Sequence, residues 1–357
     1  MALILVLPTI ALLFSIFNSL TMRIVRNRDA RQIDESVSIL IPMRNEERNV
    51  DGVLSSVLAT SLLTEREIVV LDDHSFDATT ELLKKYSEVR SISGTDLPDG
   101  WLGKNFACHQ LVAHSTGTYL VFVDADVRLS ERSIAAAISD MNSFGWDFLS
   151  PYPRQIALTF IERLIQPLLQ WSWLAGIPLR FAEKRKFLSM VVANGQFLIV
   201  KRQAYLAVGG HKAIRHEVIE DLELARLLVS HGFRGGVADG SDIAECRMYD
   251  GQKALVAGYS KSLWRAFGSP AGAIVASFIL LFSGLLPLLL GIAGYRAAWI
   301  GYFFIVLSRY VAAARTRSTP STALIHPLAI ITVIYLIAKS WYQKSTGQLL
   351  WRGRSVT

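Results

Sequence analysis

The sequence predicts an α/β domain with a mostly parallel sheet, carried on apolar helices at both ends of the chain. Three observations lead there. Apolar residues crowd into 2–20 and into the stretch from about 269 onward. Between them, short Val- and Ile-rich runs alternate with helix-like segments and polar turns, the pattern of βαβ units. Several of those runs end on carboxylates, where open α/β sheets bind their ligands. Composition agrees: of 357 residues 51% are hydrophobic and 19% charged, and the mean hydropathy is +0.33. That is too apolar for one soluble domain and too charged for a membrane bundle throughout.

Residues 1–22 read as an uncleaved transmembrane anchor: 2–20 carry no charge, no basic residue precedes them, and no A-x-A site follows. Arg23, Arg26, Arg28 and Arg31 come next, so the positive-inside rule puts the N-terminus outside and the following domain in the cytoplasm. The expected location is the inner membrane, with several passes. Residues 36–267 are long enough to bury a core of their own. Strands are expected at 37–41, 67–71 and 118–123, and helices at 46–59, 77–86 and 105–114. The stretch 156–181 is apolar but interrupted by Glu162, Arg163, Gln166 and Pro167, and with Trp171 and Trp173 it suits a helix lying in the membrane interface.

From 269 to 340 the chain holds apolar segments over 271–293, 297–314 and 324–338, of which two or three span. Three spans would put Lys339, Lys344, Arg352 and Arg354 outside, against the positive-inside rule, so the last segment is expected to be short, re-entrant or interfacial. Residues 341–357 form a basic tail. The net charge of +7 comes largely from residues flanking apolar segments, which favours anionic headgroups over nucleic acid as the partner. Cys108 and Cys246 fit no metal-ligand spacing and read as reduced thiols.

The candidate chemistry sits at strand ends. A diphosphate ligand needs a divalent cation, and Mg²⁺ or Mn²⁺ takes one or two carboxylates while keeping waters and ligand oxygens. Asp124 and Asp126, after the apolar run 119–123, supply that pair; the alternative is two turn or capping aspartates before Ser130. Asp72 and Asp73 follow the run 68–71 and either hold a base or ribose or shape a turn. Pro42, Arg44, Asn45 and Glu46 end the first strand, offering Arg and Asn to a nucleotide, and Asn45 or Glu46 to a helix start. Glu220 and Asp221 open a helical pattern, where a carboxylate either acts as general base or complements the helix dipole. Lys104, in G-W-L-G-K, either neutralises a departing diphosphate or is a loop lysine. No G-x-S-x-G, G-x-x-x-x-G-K-[ST] or G-x-G-x-x-G motif is present, which removes the commonest hydrolase, ATPase and dinucleotide readings.

In order, V-S-I-L-I-P-M-R-N-E, V-V-L-D-D-H-S-F-D-A-T, G-W-L-G-K-N-F-A-C, V-F-V-D-A-D and I-E-D-L-E-L resemble the motif series of family 2 glycosyltransferases with a GT-A fold, over about 36–240. G-W-x-G-K with A-C, and the late W-R-G-R at 351–354, resemble the branch associated with hopanoid and carotenoid biosynthesis. The resemblance implies a nucleotide-sugar donor, a UDP-hexose, with Pro42, Asn45, Glu46 and Asp73 lining the nucleotide pocket. It further implies Lys104 and Asp124 at the diphosphate, Asp124 and Asp126 on the metal, and Asp221 as the base of an inverting transfer. The acceptor is expected to be a lipid-like hydroxyl, carboxyl or phosphate, with Trp171, Trp173 and the segment after Ser269 as its apolar wall. Processive synthases of the family carry Q-x-x-R-W after the base; here 260–264 reads S-K-S-L-W, which implies one sugar per acceptor. The competing readings are a channel or transporter with a regulatory α/β domain, and an inactive scaffold.

Overall fold

The computed structural model describes residues 2–351 and 354–355. It divides into an α/β unit, Arg23–Arg154 with Glu183–Met248, and a helical unit made of the rest of the chain.

The α/β unit is built on a seven-stranded sheet. Strand β1 (Val37–Met43) pairs in parallel with β2 (Arg66–Asp72) on one side and β4 (Tyr119–Val123) on the other, and β3 (Arg90–Ser93) pairs in parallel with β2. Two short strands, β5 (Val127–Leu129) and β7 (Arg154–Gln155), flank β6 (Phe148–Tyr152) in sequence. Beyond β4, β8 (Phe197–Lys201) runs antiparallel to both β4 and β6, and β9 (Gly235–Asp239) pairs in parallel with β6. A separate antiparallel pair joins β5 to β10 (Ala244–Cys246). The sheet is therefore mostly parallel, as the alternation of elements requires.

Strands β1 and β4 are continuous apolar runs because both faces are covered. Ile39, Ile41, Val121 and Val123 face α2 (Val50–Leu58) and α5 (Ser133–Ser143) through Val53, Leu54, Ile134 and Ile138. Leu40, Leu120, Phe122 and Leu198 pack on the opposite face with Leu111 of α4 (Gly103–Ala113) and Leu224 and Leu228 of α10 (Glu220–Ser230). Three short helices, α3 (Thr79–Leu83), α8 (Arg202–Ala207) and α9 (Gly210–Ala213), complete this unit, and α7 (Leu179–Arg185) leads back into it. The expected helix at 46–59 begins only at Val50, because Glu46 to Asn49 form a turn in which Glu46 O accepts from Asn49 N and Val50 N.

The β1–β2 register sets Met43 level with Asp72. The chain runs outward from β1 through β2 to β3, then returns to place β4 on the other side of β1. The carboxyl ends of β1 and β4 thus frame a topological switch point, the crevice where such sheets bind ligands.

The helical unit holds α1 (Ala2–Thr21), α6 (Phe160–Gly176), α11 (Gly251–Ala266), α12 (Pro270–Leu280) with a π-turn leading into α13 (Leu286–Ile292), α14 (Arg296–Arg315) and α15 (His326–Ser345). Among the described residues three helices are long and apolar enough to cross a membrane: Ile4–Thr21, Pro270–Ile292 and Arg296–Arg315. Helix α15 is one unbroken helix of 20 residues, with Lys339 and Lys344 toward its end.

Helix α6 starts at a capping box between Thr159 and Glu162. Trp171 and Trp173 on it are buried, and Trp171 Nε1 donates to Ser308 Oγ at 2.9 Å. Asn18 Nδ2 donates to Leu174 O and Ile177 O, closing the end of α6 onto α1. Of the W-R-G-R motif, Arg352 and Gly353 lie outside the described residues.

Candidate active site

The loops after β1 and β2 are tied to each other. Asn45 N donates to Ser75 Oγ and Asn45 Oδ1 accepts from Phe76 N, at 2.9 and 3.0 Å. Glu46 N donates to Thr79 Oγ1 at 2.8 Å. Asn45 and His74 both take left-handed backbone, φ 54° and 55°, uncommon for side chains other than Asn, Asp, His and Gly. Within this pair of loops the two aspartates divide. Asp72 accepts from Ser75 N at 3.1 Å and from the Thr80 hydroxyl, so it shapes the turn. Asp73 faces Arg44, whose Nη1 lies 3.9 Å from Asp73 Oδ2 and also donates to Asp73 O. Pro42 sits one residue from the end of β1, level with Leu71.

At the end of β4 a second group forms around Lys104, in the first turn of α4. Its Nζ lies 2.7 Å from Asp124 Oδ1 and 2.9 Å from Glu220 Oε1, bridging two carboxylates. Burial alone would lower the ammonium's pKa, but Asp124 and Glu220 overcome that and hold it well above the ordinary lysine value. Glu220 and Asp221 open α10. Asp221 Oδ2 accepts from Gly195 N at 2.6 Å and Oδ1 from Leu222 N at 2.8 Å. Burial, with the charge of Glu220 adding to it, nevertheless pushes its carboxyl up to about 6.

Asp126 lies two residues past Asp124. Burial pushes its carboxyl up to about 7, with the charges of Asp124 and Glu46 contributing. Its Oδ1 is buried without a hydrogen-bond partner, a costly arrangement for a carboxyl oxygen. Among the described residues no group of three or more His, Cys, Asp and Glu side chains forms a metal cage. A pair of carboxylates with one unsatisfied oxygen fits an ion that takes the rest of its shell from water and phosphate.

Several residues that complete this group carry no signal of their own in the sequence. Gly195 and Gln196 precede β8. Gln196 O accepts from Asp124 N at 3.0 Å while Gly195 N holds Asp221, so two adjacent residues join the β4 end to α10. A Cβ on Gly195 would stand 3.1 Å from Asp221 Cβ, which explains glycine there. Buried Asn105 donates to Ile214 O and Glu217 O, fixing the loop before α10 against α4. Only the long-range pairing of β4 with β8 brings these positions together. The S-K-S-L-W stretch at 260–264 lies on α11 in the helical unit.

A mostly parallel α/β sheet with carboxylates and a lysine at its switch point is an architecture of the GT-A type. A mannosyltransferase from Pyrobaculum calidifontis, solved with GDP-Man and Mn²⁺, shares it: the match covers 96% of each chain at a TM-score of 0.58 and 16% identity. Two 4,4'-diaponeurosporenoate glycosyltransferases of Staphylococcus aureus, from strains MRSA252 and bovine RF122 / ET3-1, are 26% identical over 337 residues, covering 90% of this chain and 88% of the relative. Residues 38–220 match the family described as Glycosyl transferase family 2. The chain belongs to that family and is a glycosyltransferase, which sets the channel reading aside.

Proposed function

We propose that the protein moves one sugar from a nucleotide-sugar, a UDP-hexose, to a hydroxyl, carboxyl or phosphate of a lipid-like acceptor at the inner membrane, with inversion at the anomeric carbon. The observation that carries this reading is the Lys104 bridge, which holds a cation between Asp124 and Glu220, next to Asp221. The named activity of the Staphylococcus aureus relatives, on an apolar carboxylic acid, supports the acceptor class.

In this reading Asn45, Glu46, Arg44, Asp73 and Pro42 receive the nucleotide. Asp124 and Asp126 would hold Mg²⁺ or Mn²⁺, which neutralises diphosphate charge when bound. Lys104 stabilises the charge that develops on the departing nucleoside diphosphate. Glu220 keeps Lys104 in place. Asp221 accepts the proton of an acceptor hydroxyl while its oxygen attacks the anomeric carbon opposite the leaving group, so an α-linked donor gives a β-linked product. Without Q-x-x-R-W on α11, one sugar is transferred and no polymer grows; long glycan chains made by purified protein would refute this.

Calorimetric titration of detergent-purified protein with UDP-glucose and UDP, in Mn²⁺ and then in EDTA, tests the donor site. Metal-dependent binding is expected. Failure of a wider panel of nucleotide-sugars as well would overturn the reading.

A further inference from the structure

Helices α11 and α15 are joined in their C-terminal halves by Ser340, whose Oγ donates to Ser260 O and accepts from Trp264 N. Next to that joint an open groove of about 800 Å³ runs between the two helices. Lys253, near the start of α11, and Lys339, near the end of α15, both line it, with Gln252 and Gln343 beside them. Asp250 is the one carboxylate in the lining, so the groove keeps a positive balance. Ser260 also lines it; the residue is 1% exposed and its Oγ has no hydrogen-bond partner. Two ammonium groups, amide donors and an orphaned hydroxyl suit a tetrahedral oxyanion rather than a sugar or a cation.

What the oxyanion belongs to is indicated by the surface below it. Leu328, Ile331 and Tyr335 are 46%, 50% and 58% exposed. Their spacing places them on one face of α15, and Lys339 follows one turn after Tyr335 on the same face. Exposed apolar side chains leading to a lysine are what a helix presents to a lipid, with the lysine stem lying along the chains and its ammonium at headgroup level.

We propose that the groove between α11 and α15 binds the phosphate of an anionic membrane lipid, with Lys253 and Lys339 on the phosphate and the Leu328–Tyr335 face along an acyl chain. The groove shares no residue with the donor group, and the proposal rests on the membrane reading above. Two lysines at the membrane surface give an anionic lipid roughly a 10- to 30-fold advantage over a zwitterionic one.

The test uses the full chain in detergent micelles, titrated with phosphatidylglycerol, phosphatidylcholine or inorganic phosphate and followed by native mass spectrometry. Saturable retention of phosphatidylglycerol over phosphatidylcholine is expected. A Lys253→Gln, Lys339→Gln double variant should lose that preference, the Lys253→Arg, Lys339→Arg pair should keep it, and both should bind UDP as the parent does. Equal retention of the two lipids, an unchanged glutamine variant, or displacement of phosphatidylglycerol by millimolar inorganic phosphate would overturn the proposal. A chain that fails to fractionate with membranes brings down the membrane reading itself; one that does, yet shows no lipid preference, brings down only this inference.

Discussion

Asp221 keeps two backbone donors and still titrates near 6, because burial and the charge of Glu220 outweigh them. A general base works only when deprotonated, so with a hydroxyl acceptor the active fraction is nearly full above pH 7 and falls about tenfold per unit below the carboxyl's pKa. A kcat/KM profile with its acid limb near 6 is expected, and Asp221→Asn should remove that limb. The same variant should lower kcat by roughly 10²–10⁴-fold while leaving the calorimetric affinity for UDP unchanged. Asp126→Asn should do the reverse, weakening donor binding in Mn²⁺. Equal loss of donor binding in both would refute the division of roles. The size of the Asp221→Asn effect also reads the acceptor: a carboxylic acid is already ionised at neutral pH and needs no base, so with it the loss shrinks to about tenfold or less.

At the scale of elements, the approach of the β8 loop to α10 is the feature most open to test. Gly195→Ala would set a Cβ 3.1 Å from Asp221 Cβ and 3.4 Å from Oδ2, displacing the carboxylate by tenths of an ångström. A fall in kcat of roughly tenfold with UDP affinity retained is expected; loss of both together would mean that the whole loop collapses. The strand ends were legible because a buried run that stops on carboxylates is visible residue by residue: 68–71 and 119–123 did so, and Asp73 and Asp124 stand just past the ends of β2 and β4. The Gly195–Gln196 link was not, because it depends on an antiparallel strand inserted among parallel ones, which periodicity does not encode. Nor was the split between Asp72 and Asp73, since either aspartate of the pair suits a turn. In the helical unit, Glu162 accepts from Leu158 N, Thr159 N and Gly251 N. Burial alone would raise its pKa, but these donors hold it below the ordinary glutamate value. Such a group stabilises the fold above the unfolded pKa and loses that contribution as pH falls through its folded value. Glu162→Gln should therefore lower the melting temperature at pH 7, and the difference should shrink as pH falls from the ordinary glutamate value through the lower folded one; a difference that stays constant with pH would refute the charge as its source.

For the whole molecule, the number of crossings would set the side on which each end lies. If α1, Pro270–Ile292 and Arg296–Arg315 cross and α15 does not, the count from the N-terminus is three. With Arg23, Arg26, Arg28 and Arg31 inside, the hairpin over 270–315 returns Arg315, Arg317, Lys339 and Lys344 to that same side, and every basic cluster obeys the positive-inside rule. A fourth crossing by α15 would carry the tail outside, and Lys339 and Lys344 at its end are the charges that oppose it. Cys108 and Cys246 are buried, so a membrane-impermeant maleimide has little background on the parent chain. Tyr295→Cys, in the exposed turn of the hairpin, should label in intact cells. A cysteine added after Thr357 should label only after permeabilisation. Labelling of that cysteine from outside would put α15 across the bilayer and Lys339 on the side opposite Lys253, which would also overturn the shared phosphate site.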